Sequence, residues 1–356
     1  MSGKVPTPAG TRADAMAEPR IETTLVGSYP WPEWLHAHPT AEAIDDATRM
    51  VIHLQEKAGI DVVCEGEFVR FDPNHPQTNG MIEYFVHPMA GVRAQMAFEE
   101  IVAFESQATM GFRTRPAAVA EGPIGSGTLD LAAPCRRAKA LATRPLKFAL
   151  TGPHMLAKTL IDRHYGDRVA LAEAIAHVLA EQVARLDADI VQIDEANLPG
   201  APEEWEWAAR VMNIVLDAVP TVPAVHLCFG NYGGQVSQKH AHWEPLIAYL
   251  NALHADHVVC ENAHRPVEEL VHFRALRPEI GMGLGVADVK ATEIETAETV
   301  ARRIERAASV IGPDRIRYVH PDCGLWNLRR NMADGKIAAI VAGRDLYEGR
   351  ATESAA

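Results

Sequence analysis

One short stretch of the sequence places two metal-capable side chains two residues apart at the end of an apolar run. The stretch is VPAVHLCFGN, and it contains His226 and Cys228. In a β-strand, residues i and i+2 point to the same face, so the imidazole and the thiol would lie side by side. Either residue alone is more often a core residue than a ligand, so the pair indicates a site only if further partners join it.

Two such partners end later apolar runs of the chain, namely Glu261 and Cys323. With His226 and Cys228 they offer one nitrogen, one oxygen and two sulfurs, a donor set that suits Zn²⁺ rather than Mg²⁺ or Ca²⁺. Cys260 competes with Glu261 because neighbours on a strand point to opposite faces, and its apolar run favours Cys260 as a packing residue. The wide spacing is unlike that of a zinc finger and predicts a site assembled by folding.

The elements that must position these residues are short apolar runs that alternate with amphipathic segments. Several runs lack polar alternation, as is typical of parallel strands covered on both faces. Repeated strand–helix units predict an α/β fold, a (β/α)8 TIM barrel. A doubly wound sheet is the alternative, but no G-x-G-x-x-G follows a strand. The nine candidate strands are 23–28, 61–67, 117–122, 146–152, 189–195, 223–228, 257–261, 281–288 and 315–322.

Nine candidates compete for the eight strand positions of such a barrel. We assign 117–122 outside the barrel, because residues 72–126 lack a clean helical period and are predicted to form an inserted, partly β segment. Residues 1–20 are predicted to be a mobile N-terminal arm and 350–356 a mobile tail. Residues 21–349 are predicted to form a single zinc-binding barrel domain.

The clearest predicted helix lies between the last two candidate strands. Thr292-x-x-Glu295 has the spacing of a capping box, and apolar residues recur at helical spacing after it. The sequence therefore predicts that this helix begins at Thr292.

Composition excludes several classes of protein. The 356 residues include 47% hydrophobic and 23% charged residues, and the formal net charge of −13 argues against a nucleic-acid partner. No apolar run of about 18 residues and no signal-peptide pattern is found, so we predict a cytoplasmic protein that does not enter a membrane. The five cysteines are odd in number and widely spaced, which does not indicate a disulfide framework.

The strand-end motifs resemble the catalytic half of the cobalamin-independent methionine synthase family. They occur in the family's order over residues 22–345, and the chain resembles its short, single-barrel branch, to which epoxyalkane:coenzyme M transferase is related. The family is similar in fold to uroporphyrinogen decarboxylase, also a (β/α)8 barrel. The motifs are LVGSYP (25–30), GEFVR (66–70), LTGP (150–153), VQIDEANL (191–198), HLC (226–228), CEN (260–262), GLGVADVK (283–290) and PDCG (321–324).

The resemblance implies roles for several further residues. Ser28 and Glu67 are expected to hold the amino-acid end of a homocysteine-like thiol, and Asp194 to bind its amino group and take part in catalysis. Glu195, beside Asp194, is expected to contribute to substrate binding. The metal ligands implied are those already identified from the residues, with Zn²⁺ as the cofactor.

Three positions depart from the family pattern. Thr159 stands where full-length synthases carry a tryptophan that stacks on folate, and Gly200 where they carry a carboxylate that grips the pterin. Lys290 stands where they carry the histidine proposed as proton donor, and we expect it to bind an anionic substrate or to protonate an oxyanion. These departures predict a methyl donor other than polyglutamyl folate.

Two transferase functions remain open at this point. One is zinc-dependent methyl transfer to homocysteine, and the other is alkylation of another small thiol, as in epoxyalkane:coenzyme M transferase. A structural or zinc-storing barrel is the alternative from a different class, but a closed metal site would not need polar substrate-binding groups at the same strand ends. A decarboxylase needs no metal and would leave His-x-Cys unexplained. The expected partners are a small thiol and a small alkyl donor, and formation of a homo-oligomer is left open.

Overall fold

The computed structural model describes residues 20–70, 80–105, 115–230 and 241–350. The predicted arm and tail lie outside the described residues, except for Arg20, which pairs with Asp61 at 2.6 Å, and Arg350, which pairs with Glu348 at 2.5 Å. The predicted domain boundaries therefore stay a prediction. In the described part of the chain, no helix combines the length and the apolar character needed to cross a membrane.

An eight-stranded parallel sheet forms the centre of the structure, in the order β1-β11-β10-β9-β8-β7-β5-β2. Parallel bridges at Thr24–Val62 and Ser28–Gly66 join the first and last strands of this order, so the sheet closes into a barrel. The predicted (β/α)8 fold is confirmed. The strands are β1 (Glu22–Thr23), β2 (Val63–Cys64), β3 (Ala90–Arg93), β4 (Ala118–Gly125), β5 (Leu146–Thr151), β6 (Leu160–Asp162), β7 (Ile190–Glu195), β8 (Val222–Leu227), β9 (His257–Cys260), β10 (Gly281–Ala287) and β11 (Ile316–Pro321).

Helices follow the barrel strands and pack their apolar faces against the outside of the sheet. The α-helices are α1 (Glu33–Ala37), α2 (Ala41–Ala58), α3 (Glu83–Val86), α4 (Phe98–Glu105), α5 (Ala132–Leu141), α6 (Pro153–Thr159), α7 (Arg168–Val183), α8 (Trp205–Leu216), α9 (Ile247–Ala252), α10 (Ala297–Ile311) and α11 (Arg330–Tyr347). Short 3₁₀ segments are Phe68–Arg70, Leu198–Gly200, Pro202–Glu204, Glu244–Leu246, Val267–Ala275 and Pro313–Arg315.

Helix α10 has its N-cap four residues later than the capping box predicts. Its N-cap is Thr296, whose side chain accepts a backbone N–H of the first turn. Both oxygens of the Glu295 carboxylate are engaged elsewhere, Oε2 by Lys336 at 2.9 Å and Oε1 by the backbone N–H of Asp288 at 2.8 Å. The prediction of a helix start at Thr292 is therefore wrong, because a tertiary ion pair engages the residue that the local motif needs.

The inserted segment forms a second, smaller sheet outside the barrel. Strand β4 pairs antiparallel with β3 and parallel with β6, which follows helix α6. The candidate strand 117–122 thus lies outside the barrel, as predicted, and the segment near 72–126 is partly β. Its residues 71–79 and 106–114 are outside the described part.

The barrel interior combines a small apolar cluster with large polar side chains. The apolar cluster is formed by Val26, Val62, Ile190, Ala224 and Val259. Strand β10 makes room for the polar groups with glycines: a Cβ at Gly283 would lie 2.9 Å from Nε2 of His320, and one at Gly285 would lie 2.1 Å from Oδ1 of Asp322. The glycines of the motif GMGLGVAD therefore leave space for the side chains of His320 in β11 and of Asp322 just after it.

Candidate active site

The carboxyl ends of the barrel strands surround a cavity of about 620 Å³. This is the end at which (β/α)8 barrels place their active sites, because the loops that follow the strands meet there. Neither Glu261 nor Lys290 is among the described residues that line it. The predicted site residues that do line the cavity are Ser28, Glu67, Asp194, Glu195, His226, Cys228 and Cys323.

Three of the four predicted metal ligands lie together at one side of this cavity. The ligand atoms of His226, Cys228 and Cys323 all lie within 4.8 Å of one another, and the two sulfur atoms are 3.8 Å apart. Strand β8 supplies His226, the residue directly after the strand is Cys228, and the turn after β11 supplies Cys323. A backbone hydrogen bond of 2.9 Å from the N–H of Leu325 to the carbonyl of Ser28 fixes that turn against the segment that follows β1.

The histidine of this cluster is held in the tautomer that a metal requires. Nδ1 of His226 lies 2.9 Å from the carbonyl oxygen of Val259, so this nitrogen must carry the proton and donate it. Nε2 is buried and has no hydrogen-bond partner among the described residues. A nitrogen lone pair beside two sulfur atoms is a donor set that suits Zn²⁺. The Val259 carbonyl orients the imidazole ring, as hydrogen-bond acceptors behind metal-binding histidines do in metal sites.

The two thiols influence each other strongly. The contact with Cys228 lowers the pKa of Cys323 well below its usual range, while the same contact and burial raise the pKa of Cys228. Two adjacent buried thiolates repel each other, so the pair shares one proton unless a cation lies between them. The cluster is therefore electrostatically suited to a divalent metal ion.

Glu261, the fourth predicted ligand, is not part of the cluster of His226, Cys228 and Cys323. Its Oε1 forms an ion pair of 2.8 Å with Nζ of Lys290, and the side chains are 0% and 2% exposed. Its neighbour Cys260 lies in the hydrophobic core, as do Cys64 and Cys135. The structure thus brings Glu261 and Lys290 to each other rather than to the cavity.

Asp322, which precedes the ligand Cys323, organises the loop that follows β9. Its carboxylate accepts the backbone N–H groups of Asn262 and Ala263 at 2.9 and 2.8 Å and that of His264 at 2.7 Å. Burial and repulsion by Glu261 raise the pKa of Asp322 to about 7 despite these hydrogen bonds. The aspartate of the PDCG motif therefore has a structural role that the sequence did not indicate.

Glu67 is held at the cavity in a strained conformation. Its φ of 61° is positive, the single such value for a non-glycine residue in the described part of the chain. Its Oε1 pairs with Nη1 of Arg70 at 3.0 Å, and a Cβ at Gly27 would lie 2.1 Å from that oxygen. Burial raises the pKa of Glu67 in spite of the guanidinium. Gly27 and Arg70 together fix the carboxylate.

Arg70 is a site residue that sequence reasoning missed, although it ends the quoted motif GEFVR. Its side chain is 2% exposed, pairs with Glu65 at 3.2 Å as well as with Glu67, and donates to the carbonyl of Ala149. The guanidinium also lies 5.6 Å from the ring centroid of Phe148. The available sequence signal was the close spacing of Glu65, Glu67 and Arg70 at the end of an apolar run, where charged residues need partners.

Asp194 and Glu195 end the same strand but have different surroundings. Asp194 accepts a hydrogen bond of 2.8 Å from Gln192, and burial raises its pKa to about 7 although His226 opposes the shift. Glu195 is engaged by His154, whose Nδ1 is 3.0 Å from its Oε2, and by the N–H groups of residues 197 and 198. Burial alone would raise the pKa of Glu195, but these contacts outweigh it and lower the pKa.

The positions that depart from the family pattern do not line the cavity in the described part of the structure. Thr159 is buried at the end of α6, where its hydroxyl donates to a backbone carbonyl, and Gly200 ends a 3₁₀ segment. Trp207 packs against His154, with ring centroids 4.6 Å apart and the rings tilted by 46°. Trp31 and Trp326, by contrast, line the cavity.

The fold and the site together define a (β/α)8-barrel enzyme with a candidate thiolate–imidazole metal centre. The sequence profile described as the catalytic domain of cobalamin-independent synthase matches residues 21–343, so the chain belongs to this family. The family resemblance seen in the motifs is confirmed, and membership makes the chain a methyltransferase of methionine biosynthesis.

Individual relatives resemble the chain over nearly its whole length. A methionine synthase from Sulfurisphaera tokodaii is 29% identical over 344 residues, which cover 92% of this chain and 93% of the relative. One from Thermococcus kodakarensis is 28% identical over 352 residues, covering 93% and 94%. The solved structure of a B12-independent methionine synthase from Shewanella sp. W3-18-1, in complex with selenomethionine, superposes with a TM-score of 0.76 at 26% identity and covers 93% of this chain and 98% of that one.

Proposed function

We propose that this protein is a zinc-dependent methyltransferase that forms methionine from homocysteine and a methyl donor other than polyglutamyl folate. One observation carries the proposal: the cluster of His226, Cys228 and Cys323 shares its cavity with the carboxylates of Glu67 and Asp194. The cluster offers a place for the sulfur of the acceptor, and the carboxylates offer a place for its amino group.

His226, Cys228 and Cys323 would hold the zinc ion, and Glu261 is the candidate for a fourth protein ligand. When bound there, Zn²⁺ stabilises a thiolate at neutral pH, where a free thiol with a pKa near 8.5 is mostly protonated. The residues of the chain supply the rest: they fix the ligand tautomer, exclude water and orient the acceptor. The unpaired Nε2 of His226 supports this assignment.

The charges of the cavity favour homocysteine over coenzyme M as the acceptor. Homocysteine carries an ammonium group, whereas coenzyme M carries a sulfonate, which needs a cation. Arg70 is the one arginine or lysine among the described lining residues, and Glu65 and Glu67 already pair with it. Burial raises the pKa of Asp194 to about 7, and the nearby Glu67 raises it further. A bound ammonium group would offset the repulsion between these two carboxylates. Ser28 is proposed to hold the carboxylate end.

The same charges argue against a polyglutamyl donor. A polyglutamyl tail is a polyanion, and the described cavity lining offers it no unpaired arginine or lysine. Thr159 and Gly200 do not supply the aromatic and acidic groups that the family uses for the pterin. We therefore propose a donor whose leaving group is small, lying against the part of the cavity formed by Trp31 and Trp326.

A donor screen with zinc analysis tests the proposed function. Purified protein is expected to contain about one zinc ion per chain and to form methionine from homocysteine with a small methyl donor. 5-Methyltetrahydrofolate, with or without a polyglutamyl tail, is expected to be a poor donor, and coenzyme M a poor acceptor. Efficient methionine formation from the polyglutamyl folate would contradict the donor proposal, and alkylation of coenzyme M in preference to homocysteine would contradict the acceptor proposal.

A further inference from the structure

Two tryptophans of the cavity, Trp31 and Trp326, belong neither to the metal cluster nor to the groups proposed for the acceptor. Each follows a residue of the site by three positions, Trp31 after Ser28 and Trp326 after Cys323. Three residues span at most about 11 Å even when the chain is fully extended. The backbone of each tryptophan therefore lies close to the residues at which the acceptor is proposed to react.

The two segments that carry these tryptophans are packed against each other. The N–H of Leu325 donates to the carbonyl of Ser28 at 2.9 Å, and a Cβ at Gly324 would lie 2.0 Å from Oγ of Ser28. Because this contact joins the segment after β1 to the turn after β11, both indoles are presented to one cavity. Trp326 is 51% exposed, so its ring is available at the outer part of that cavity.

We propose that Trp31 and Trp326 form a subsite for a methylated onium compound, a sulfonium or quaternary ammonium ion, which serves as the methyl donor. The inference rests on the proposed methyl transfer to homocysteine and names the chemical class of its donor. A fully alkylated onium centre donates no hydrogen bond, so polar side chains cannot recognise it by hydrogen bonding at that atom. The faces of aromatic rings attract such cations, and the face of tryptophan does so most strongly.

The charges of the cavity favour a cationic donor. Arg70 is the one arginine or lysine among the described lining residues, and it already pairs with Glu65 and Glu67, while Asp194 adds a further carboxylate. Homocysteine brings one ammonium and one carboxylate group, so it does not change this balance, and its thiolate adds another negative charge. A cleft with one sign of charge concentrates ligands of the opposite sign. An onium ion is therefore attracted to this cavity more strongly than a neutral or anionic donor.

The leaving group of an onium donor needs no acid in the cavity. Homocysteine loses its thiol proton to solvent as the thiolate forms, and the sulfur then bonds to the methyl carbon. The bond from that carbon to the charged heteroatom breaks, and its electron pair stays on the heteroatom, which leaves as a neutral thioether or tertiary amine. A neutral amine donor would instead leave as an anion that needs a proton. Lys290, which stands at the position of the family's proposed proton donor, is not among the described residues that line the cavity.

Calorimetric titration of the purified protein with choline and with 3,3-dimethylbutan-1-ol tests the recognition of positive charge, because the two molecules share a shape and differ in charge. Choline is expected to bind at least about 10-fold more tightly than the alcohol. Trp31→Leu and Trp326→Leu are each expected to reduce this preference about 3- to 10-fold, whereas Trp31→Phe keeps an aromatic face and should retain most of it. Trp34→Leu is the matched control with an unchanged preference, since Trp34 is 41% exposed but is not among the described lining residues.

Methyl transfer to homocysteine distinguishes the two kinds of onium ion. Trimethylsulfonium and glycine betaine are offered separately, and mass spectrometry of the products is expected to detect methionine with at least one of them. The donor that reacts identifies the heteroatom. Equal binding of choline and the alcohol, or a preference that persists in the double variant Trp31→Leu/Trp326→Leu, would overturn the inference.

Two further outcomes separate the inference from the proposed function. Methionine formation with another small donor, but with neither onium ion, would refute the onium donor and leave the proposed function intact. A purified protein that prefers choline but contains no zinc, and forms no methionine with any donor, would refute both the proposed function and the role of the onium ion as its donor.

Discussion

Glu67 combines backbone strain with a buried carboxylate at the substrate cavity. Its φ of 61° belongs to the left-handed region, which disfavours residues with a Cβ, and Arg70 holds its side chain at 3.0 Å. Strain of this kind persists only where the surroundings fix the conformation, and it concentrates at functional sites. The position is therefore suited to placing the carboxylate rather than to stabilising the fold.

Two variants of Glu67 that both remove its carboxylate separate the effect of backbone strain on stability from the effect of the lost charge. Glu67→Gly is expected to be more stable than Glu67→Ala by about 1 kcal/mol, because glycine adopts a positive φ without a steric penalty. Both are expected to lose activity. Urea unfolding of the two variants measures the difference, and equal free energies of unfolding would show that the backbone is not strained.

A methyl group at Gly27 tests the placement of the same carboxylate. A Cβ there would lie 2.1 Å from Oε1 of Glu67, so Gly27→Ala is expected to displace the carboxylate. Because misplacement by about 1 Å can reduce catalysis about 100-fold, kcat/KM for homocysteine should fall by at least about 10-fold while zinc is retained. Gly125→Ala, where the nearest atom is 3.6 Å away, is the control with unchanged kinetics.

Which site residues lie next to each other can be predicted from the sequence where the spacing along one strand determines it. The alternation of a strand places His226 beside Cys228, and Cys323 joins them because parallel strands end on one side of the barrel. The ion pair of Glu261 with Lys290 could not be predicted in this way. It depends on how two loops approach each other, which no strand or helix period specifies.

At the scale of elements, a buried network links α6, β7 and the segment before α8. His154 lies between two carboxylates, with Nδ1 at 3.0 Å from Glu195 and Nε2 at 2.8 Å from Glu204, and Lys158 pairs with Glu204 at 2.7 Å. Burial alone would lower the pKa of His154, but Glu195 and Glu204 outweigh it and raise the pKa. The network fixes Glu195 at the cavity wall.

The dependence of stability on pH tests the charge of His154. Because its pKa is raised from the usual 6.5, the protonated ring stabilises the folded state fully below pH 6.5 and less as pH rises through the folded pKa. The difference in Tm between the wild type and His154→Gln is expected to be largest near pH 6 and to shrink at alkaline pH. A Tm difference that is constant from about pH 5 to 9 would mean that the ring is neutral.

The element boundaries show where sequence reasoning succeeds and where it does not. The eight apolar runs assigned to the barrel all contain its strands. A strand that is buried on both faces has a nearly continuous run of apolar residues, which is visible in the sequence. The start of α10 was mispredicted because Lys336, from a helix far along the chain, engages Glu295. Local motifs are overridden where a tertiary ion pair uses the same atoms.

In the whole molecule, closure of the barrel brings the residues of the candidate site together. Ser28, Glu67, Asp194, His226 and Cys323 come from five separate segments, and they line one cavity because the first and second strands of the barrel are joined by the bridge between Ser28 and Gly66. We therefore expect the proposed metal site to form only in the folded barrel, unlike the local site of a zinc finger.

Serine substitutions test whether the metal depends on this assembled site. Cys228→Ser and Cys323→Ser are expected to lose both zinc and activity, because each removes one of the proposed sulfur ligands. Cys135→Ser is the matched control, since Cys135 is buried in the hydrophobic core, and it should lose neither. Elemental analysis of the purified variants measures the zinc content. Loss of zinc from Cys260→Ser with retention in Cys323→Ser would contradict the ligand assignment.

The central claim is that the barrel holds zinc with an open position for the sulfur of homocysteine. X-ray absorption at the zinc edge measures it most directly, because the number of sulfur scatterers reports the ligands of the ion. We expect two sulfurs in the zinc-loaded protein, from Cys228 and Cys323, and three after addition of homocysteine. A sulfur count that stays at two in the presence of saturating homocysteine would contradict the account.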